Sequence, residues 1–179
     1  MAAKNLIFIG GTMGAGKTTV AKQLLEDLPA SVMLDGDWCW MADPFVVNEE
    51  TKEMVMQNIT FMLAQFLECT AYQNVIFCWV MDHQSIIDEI MMRLEEQISG
   101  KPHFYNFSLT LSPDALTERL SKDVTAGIRK SDIIERSVAR LPLYENIESV
   151  KINVGNCTAK EAASQIAAHV YAENDSTAG

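Results

Sequence analysis

Residues Gly11–Thr18 read G-T-M-G-A-G-K-T, and the stretch around them constrains the fold more than any other part of the chain. The match to G-x-x-x-x-G-K-[ST] is complete. Before it, Asn5–Gly10 is an apolar run suited to a buried strand; after it, Thr18–Leu25 has helical spacing. Glycines let consecutive backbone N–H groups turn inward around a phosphate, and the helix N-terminus adds its dipole. Lys17 brings a mobile cation to the outer phosphates, and the Thr18 hydroxyl is placed to hold Mg²⁺. Gly11, Thr12, Met13, Gly14, Ala15, Gly16, Lys17, Thr18 and Thr19 are therefore the expected nucleotide-binding residues. The ligand that fits them is a nucleoside triphosphate.

The remaining sequence alternates strand and helix. Ser31–Asp35 reads as a second strand. Residues 48–73 form a long helical stretch capped by Asn48, with Glu49 and Glu50 in its first turn. Val75–Met81 is almost wholly apolar, as a central parallel strand covered on both sides should be. A helix over 84–99 stops at Gly100, and 103–111 reads as a fourth strand. Ser112 caps and Pro113 opens a helix to about Lys122; Ser131 or Asp132 opens another, to about Pro142. Val150–Val154 is a fifth strand, and Thr158-x-x-Glu161 is a capping box for the last helix. This pattern predicts a single domain over 1–173 with a polar tail at 174–179. Five strands with intervening helices, opened by a phosphate loop, imply a parallel α/β sheet whose site lies at the strand C-terminal ends.

Two further groups of residues carry chemistry. Asp35-Gly36-Asp37 closes the second strand, and residues i and i+2 of a strand point the same way, so both carboxylates should enter one cleft. Asp35 can orient Mg²⁺, and Asp37 can accept a proton from an incoming hydroxyl. Later, six of the fourteen basic residues (Arg119, Lys122, Arg129, Lys130, Arg136 and Arg140) crowd into one short segment. Phosphoryl transfer needs positive charge over the equatorial oxygens. Arg129 and Arg140 are taken for that work, while Lys130 and Arg136 read as solvated surface charge.

Composition excludes several classes. With a net charge of −10, a nucleic-acid partner would be repelled. No apolar stretch is long enough to span a bilayer, and no charged segment with a cleavage site opens the chain, so a cytoplasmic monomer or homodimer is expected. Cys39, Cys69, Cys78 and Cys157 lack metal-binding spacing and read as reduced, mostly buried thiols.

The phosphate loop, the Asp-Gly-Asp, Glu118-Arg119-Leu120-x-Lys122 and the R-x-x-D-(x)7-R-L-x-x-Y pattern from Arg129 to Tyr144 together resemble the small P-loop kinases of the adenylate kinase-like group. Shikimate, gluconate, chloramphenicol and adenylate kinases belong to that group. The layout over residues 4–172 is most similar to the branch that includes the ATP-binding tunicamycin-resistance protein. The resemblance implies a three-layer P-loop fold with a five-stranded parallel sheet in the order 2-3-1-4-5, helices on both faces and a short lid at about 123–131. It implies ATP and Mg²⁺ as ligands. It also implies that Arg119 lies against adenine, that Lys122 and Arg129 belong to the lid, and that Arg140 reaches the transferred phosphate. Asn153 to Thr158 would line the adenine pocket. Strand three departs from the nucleotide kinases, lacking their Asp-Gly-x-x-Arg.

That departure bears on the acceptor. Between Gln23 and Met92 the only basic residue is Lys52, against twelve acidic ones. A nucleoside monophosphate needs arginine clamps in this stretch, so a neutral or cationic small molecule is expected. Trp38, Trp40, Met41, Pro44 and Phe45 either wall a sugar or aromatic ring or complete the core. Trp79 and Met81 are placed near the cleft, Asp82 is a candidate metal or acceptor contact, and His83 reads as a helix-start residue. Two functions follow: a kinase acting on an alcohol, or a nucleotide-dependent protein that sequesters a ligand or switches state without phosphorylating it.

Overall fold

Every residue of β1 (Asn5–Gly10) is buried, and its two faces feed two separate cores. The computed structural model describes residues 3–177, with side chains through Glu173. Side chains alternate across a strand, so Ile7 and Ile9 pack to one side with Val20 and Leu24 of α1 (Lys17–Asp27) and Ile166 and Val170 of α6 (Ala159–Thr177). Leu6 and Phe8 pack to the other with Val55, Ile59 and Leu63 of α2 (Glu49–Glu68) and Ile87 and Ile90 of α3 (Gln84–Glu95). β2 (Ser31–Asp35), β3 (Asn74–Cys78), β4 (His103–Thr110) and β5 (Val150–Asn153) complete one parallel sheet. Its order is β2-β3-β1-β4-β5, as the resemblance implies. α4 (Pro113–Thr125) adds Leu116 and Leu120 to the first core, and α5 (Asp132–Val138) adds Ile133.

Three N-termini carry the capping chemistry read from the sequence. Asn48 and Thr51 bond reciprocally at the start of α2, Ser112 Oγ accepts from the Ala115 N–H at 3.2 Å, and Thr158 pairs with Glu161 before α6. Several ends differ from expectation. α2 stops at Glu68 because Cys69 is extended and the Tyr72 N–H turns back to the Cys69 carbonyl. β3 stops at Cys78, short of Met81; Met81 is buried from the loop beyond the strand, so the apolar run outlasts the β structure. α3 stops at Glu95. α4 runs on to Thr125, and Gly127, at φ 71°, ends the turn that follows it. α5 stops at Val138, and Pro142 falls instead in a short 3-10 helix, Leu141–Asn146. α6 continues to Thr177, through the start of the expected tail, where no glycine or proline interrupts it. No helix among the described residues is long and apolar enough to cross a membrane.

Candidate active site

β1 ends at Gly10 and α1 begins at Lys17, so the loop between them lies at the C-terminal edge of the sheet. Gly14 holds φ 85°, and a Cβ there would lie 2.6 Å from Leu120 Cδ2, so only glycine fits. Thr12 points away from the loop mouth: its Oγ1 donates to the Ser137 carbonyl at 2.9 Å and ties the loop to α5. Lys17 folds back over the loop, with Nζ donating to the Thr12 carbonyl at 3.1 Å. Burial pushes the Lys17 pKa down to about 8; the carboxylates of Asp37 and Asp35 oppose the fall, and Arg129 deepens it. The lysine therefore sits in the electrostatic field of both candidate carboxylates and of Arg129.

A candidate metal corner is built where α1 meets β2. Thr18 Oγ1 donates to Asp35 Oδ2 at 2.6 Å, and Asp35 Oδ1 accepts from the Asp37 N–H at 3.0 Å. Two hard oxygens in contact beside a phosphate loop suit Mg²⁺. The strand-alternation argument for Asp37 does not hold. β2 ends at Asp35, and Gly36–Trp40 is a 3-10 helix with Asp35 as its N-cap. Asp37 instead lies in the first turn of that helix, exposed to solvent and within the field of Lys17. The sequence reading missed Cys78, which pairs in register with Asp35 and Ile9 at the end of β3. Its thiol lies in hydrogen-bonding reach of the Asp35 and Thr18 side chains, and burial pushes its pKa up. Its place at the end of the strand after Asp35 is the signal that could have found it. All four cysteines are free, but the expectation of mostly buried thiols fails: Cys78 is buried, Cys39 and Cys157 are partly exposed and Cys69 is exposed.

The aromatic residues divide. Trp79 covers Gly36 and Trp40 packs on Phe45, with ring centroids 4.9 Å apart, while Trp38 is 53% and Phe45 60% exposed. So Trp40 and Trp79 complete the core, and Trp38, Met41 and Phe45 leave apolar surface beside Asp37.

On the opposite flank Arg119 ties the loop to β5. Its Nη1 donates to the Ala15 carbonyl at 3.3 Å, and its Nη2 donates to the Val154 carbonyl. Beneath it is a cleft of about 190 Å³ lined by Ala15, Gly16, Thr19, Val20, Arg119, Val154, Cys157, Thr158 and Ala159. Asn153 does not line it: its side-chain oxygen accepts from the Gly155 N–H at 2.9 Å and so shapes the loop. Four of the other cations in the cluster are paired. Arg129 meets Asp123 at 3.2 Å, Arg140 meets Asp82 at 3.4 Å, and Lys122 meets Glu118 at 2.8 Å within α4. Arg136 pairs with Asp132 on the surface and Lys130 is exposed. Asp82 is buried and also bonds His83 Nδ1 at 2.9 Å. His83 is the N-cap position of α3, but its side chain makes no capping bond.

Comparison with known proteins follows this geometry. A protein family described as AAA domain matches residues 7–141. No curated protein matches the sequence. Among solved structures, the tunicamycin resistance protein of Deinococcus radiodurans superposes with a TM-score of 0.64 at 19% identity, covering 93% of this chain and 95% of that one. A gluconokinase from Sinorhizobium meliloti gives 0.62 at 16% identity, covering 97% and 99%. Shikimate kinase from Acinetobacter baumannii gives 0.62 at 19% identity, covering 96% and 95%. The fold is that of the small P-loop kinases.

Proposed function

This chain belongs to the AAA domain family, and on that premise we propose that it transfers the γ-phosphoryl group of ATP to a hydroxyl of a neutral or cationic small molecule. One observation carries the reading: the Thr18–Asp35 hydrogen bond, Asp37 and the Lys17 ammonium share one corner of the sheet edge. The loop amides and Lys17 hold the β- and γ-phosphates, and Arg119 lies against adenine over the cleft toward β5. Thr18 and Asp35 are the residues that would hold Mg²⁺, which when bound neutralises charge on the phosphate oxygens. Asp37 takes the proton from the acceptor hydroxyl as its oxygen bonds the γ-phosphorus. The bond to the bridging oxygen breaks and ADP leaves. Arg129 and Arg140 leave Asp123 and Asp82 to cover the transferring group.

The acceptor side supports an uncharged or cationic substrate. Lys52, the sole basic residue between Gln23 and Met92, is paired with Glu49 at 2.8 Å on the surface, so it offers no clamp for an anion. Trp38 supplies apolar surface next to Asp37. The working unit is the single domain over 1–173, with its lid at 123–131, acting in the cytoplasm as a monomer or homodimer. Screening neutral and aminated alcohols for ATP consumption, with mass detection of the product, tests this reading. A phosphorylated alcohol supports it. Tight ligand retention with no product from any class would favour the sequestering function.

A further inference from the structure

Tyr144 is 1% exposed, and its hydroxyl donates to no acceptor among the described residues. The Gly11 N–H faces the oxygen, but an N–H can only answer a lone pair. The phenol proton is left without an acceptor, which is a costly arrangement in a sealed site. The ring packs against β1: its Cε1 lies 3.7 Å from where a Cβ on Gly10 would stand. Tyr144 follows Arg140 in the 3-10 helix, whose Leu143 N–H bonds the Arg140 carbonyl at 3.1 Å.

Asp82 follows Met81, whose Cε lies 3.8 Å from that same Gly10 position, and its buried carboxylate is occupied by Arg140 Nη1 at 3.4 Å and His83 Nδ1 at 2.9 Å. Asp82 and Arg140 act on the tyrosine in opposite senses, the first raising and the second lowering its pKa, so the phenol lies in the field of both. A buried carboxylate that loses its arginine needs another donor. We propose that Tyr144 is a positioning residue for Arg140, its phenol being the donor that takes over Asp82 when Arg140 leaves for the transferred phosphate. The arginine's destination rests on the phosphotransfer reading; the exchange at Asp82 does not. The orphan hydroxyl is then the resting half of a two-position latch. Asp82 holds Arg140 back before nucleotide arrives, and Tyr144 makes its departure less costly.

Thermal unfolding of Tyr144→Phe, Arg140→Ala and the double variant, without nucleotide, tests the exchange. In the otherwise unchanged chain, Tyr144→Phe removes an unmet donor and should leave the midpoint unchanged or raise it. In the Arg140→Ala chain the same change removes the donor that has replaced the arginine, and the midpoint should fall by roughly 3–10 °C. An equal fall in both backgrounds would mean that the tyrosine is structural and would overturn the proposal. As a second measurement, Tyr144→Phe should weaken an ATP analogue by roughly 3- to 10-fold, since the released Asp82 loses its partner; unchanged affinity also overturns it. If the wild-type chain binds no nucleotide, the phosphotransfer reading fails by itself and the midpoint comparison still decides the exchange.

Discussion

Gly36→Ala adds one methyl group between Asp35 and Asp37, and that Cβ would lie 2.4 Å from Trp79 Cγ, 2.5 Å from Cδ1 and 2.9 Å from Cβ. Carbon atoms in contact sit about 3.5–4.0 Å apart, so the overlap is on the order of 1 Å. Turning the indole does not clear it, because Trp79 Cβ is carried by the backbone. Either the 3-10 helix moves with Asp37, or the loop after β3 moves with Asp82. Overpacking of this kind costs about 1–3 kcal/mol, which for a chain of this size lowers the unfolding midpoint by roughly 2–12 °C. A displacement of that order at Asp37, the proposed proton acceptor, should lower turnover by about 10²-fold. The loop at 11–18 is untouched, so nucleotide affinity measured without divalent metal should stay near wild type. Thermal unfolding, calorimetric titration and initial rates read the three effects. In a Trp79→Gly chain the same alanine should cost less than about 0.5 kcal/mol, because all three contacting atoms, the Cβ included, are gone. A single variant with wild-type midpoint and turnover would refute the packing of Trp79 on Gly36 and its role in aiming Asp37.

Other consequences can be checked separately. Lys17 has a folded pKa of about 8, below its ordinary 10.5, so its charged form costs stability at lower pH, and the ligand-free chain should gain stability as pH rises from about 8 toward 10.5. Nucleotide needs the ammonium, so its affinity should fall over the same interval by up to about tenfold per pH unit; Lys17→Ala should abolish both trends and most triphosphate binding. Asp37→Asn should reduce turnover by roughly 10²–10⁴ with ATP affinity intact, whereas raised Mg²⁺ should partly rescue Asp35→Asn. Arg119→Ala should weaken ATP by roughly tenfold and tripolyphosphate by less, because the proposed contact with the base is lost along with the bond to the Ala15 carbonyl.

The sequence carried the parts of this account that depend on local chemistry. A glycine loop between an apolar run and a helix has few folded alternatives, and Asn48, Ser112 and Thr158 mark helix starts through bonds made within four residues. What escaped it depends on neighbours distant in sequence. Val75–Met81 reads as one strand because burial, not pairing, sets hydrophobicity; Trp79 and Met81 are apolar to cover Gly36 and fill the core from a loop. Asp35 and Asp37 look like strand alternation, yet the Asp35 side chain accepts the Asp37 N–H and bends the chain into a 3-10 helix. Thr12 lies inside the motif but serves Ser137, and Cys78 carries no motif at all. Nor does the cluster of arginines reveal that Asp123 and Asp82 hold two of them.

The central claim is that this sheet edge moves a phosphoryl group to an alcohol. Its most direct test follows isotope from γ-labelled ATP into a small-molecule product, using wild type, Lys17→Ala and Asp37→Asn in parallel. The account predicts label on an alcohol oxygen with wild type, at least about 10²-fold less with Asp37→Asn, and none above background with Lys17→Ala. Label released only as inorganic phosphate, at equal rates in wild type and Asp37→Asn and with every neutral and cationic alcohol offered, would contradict it.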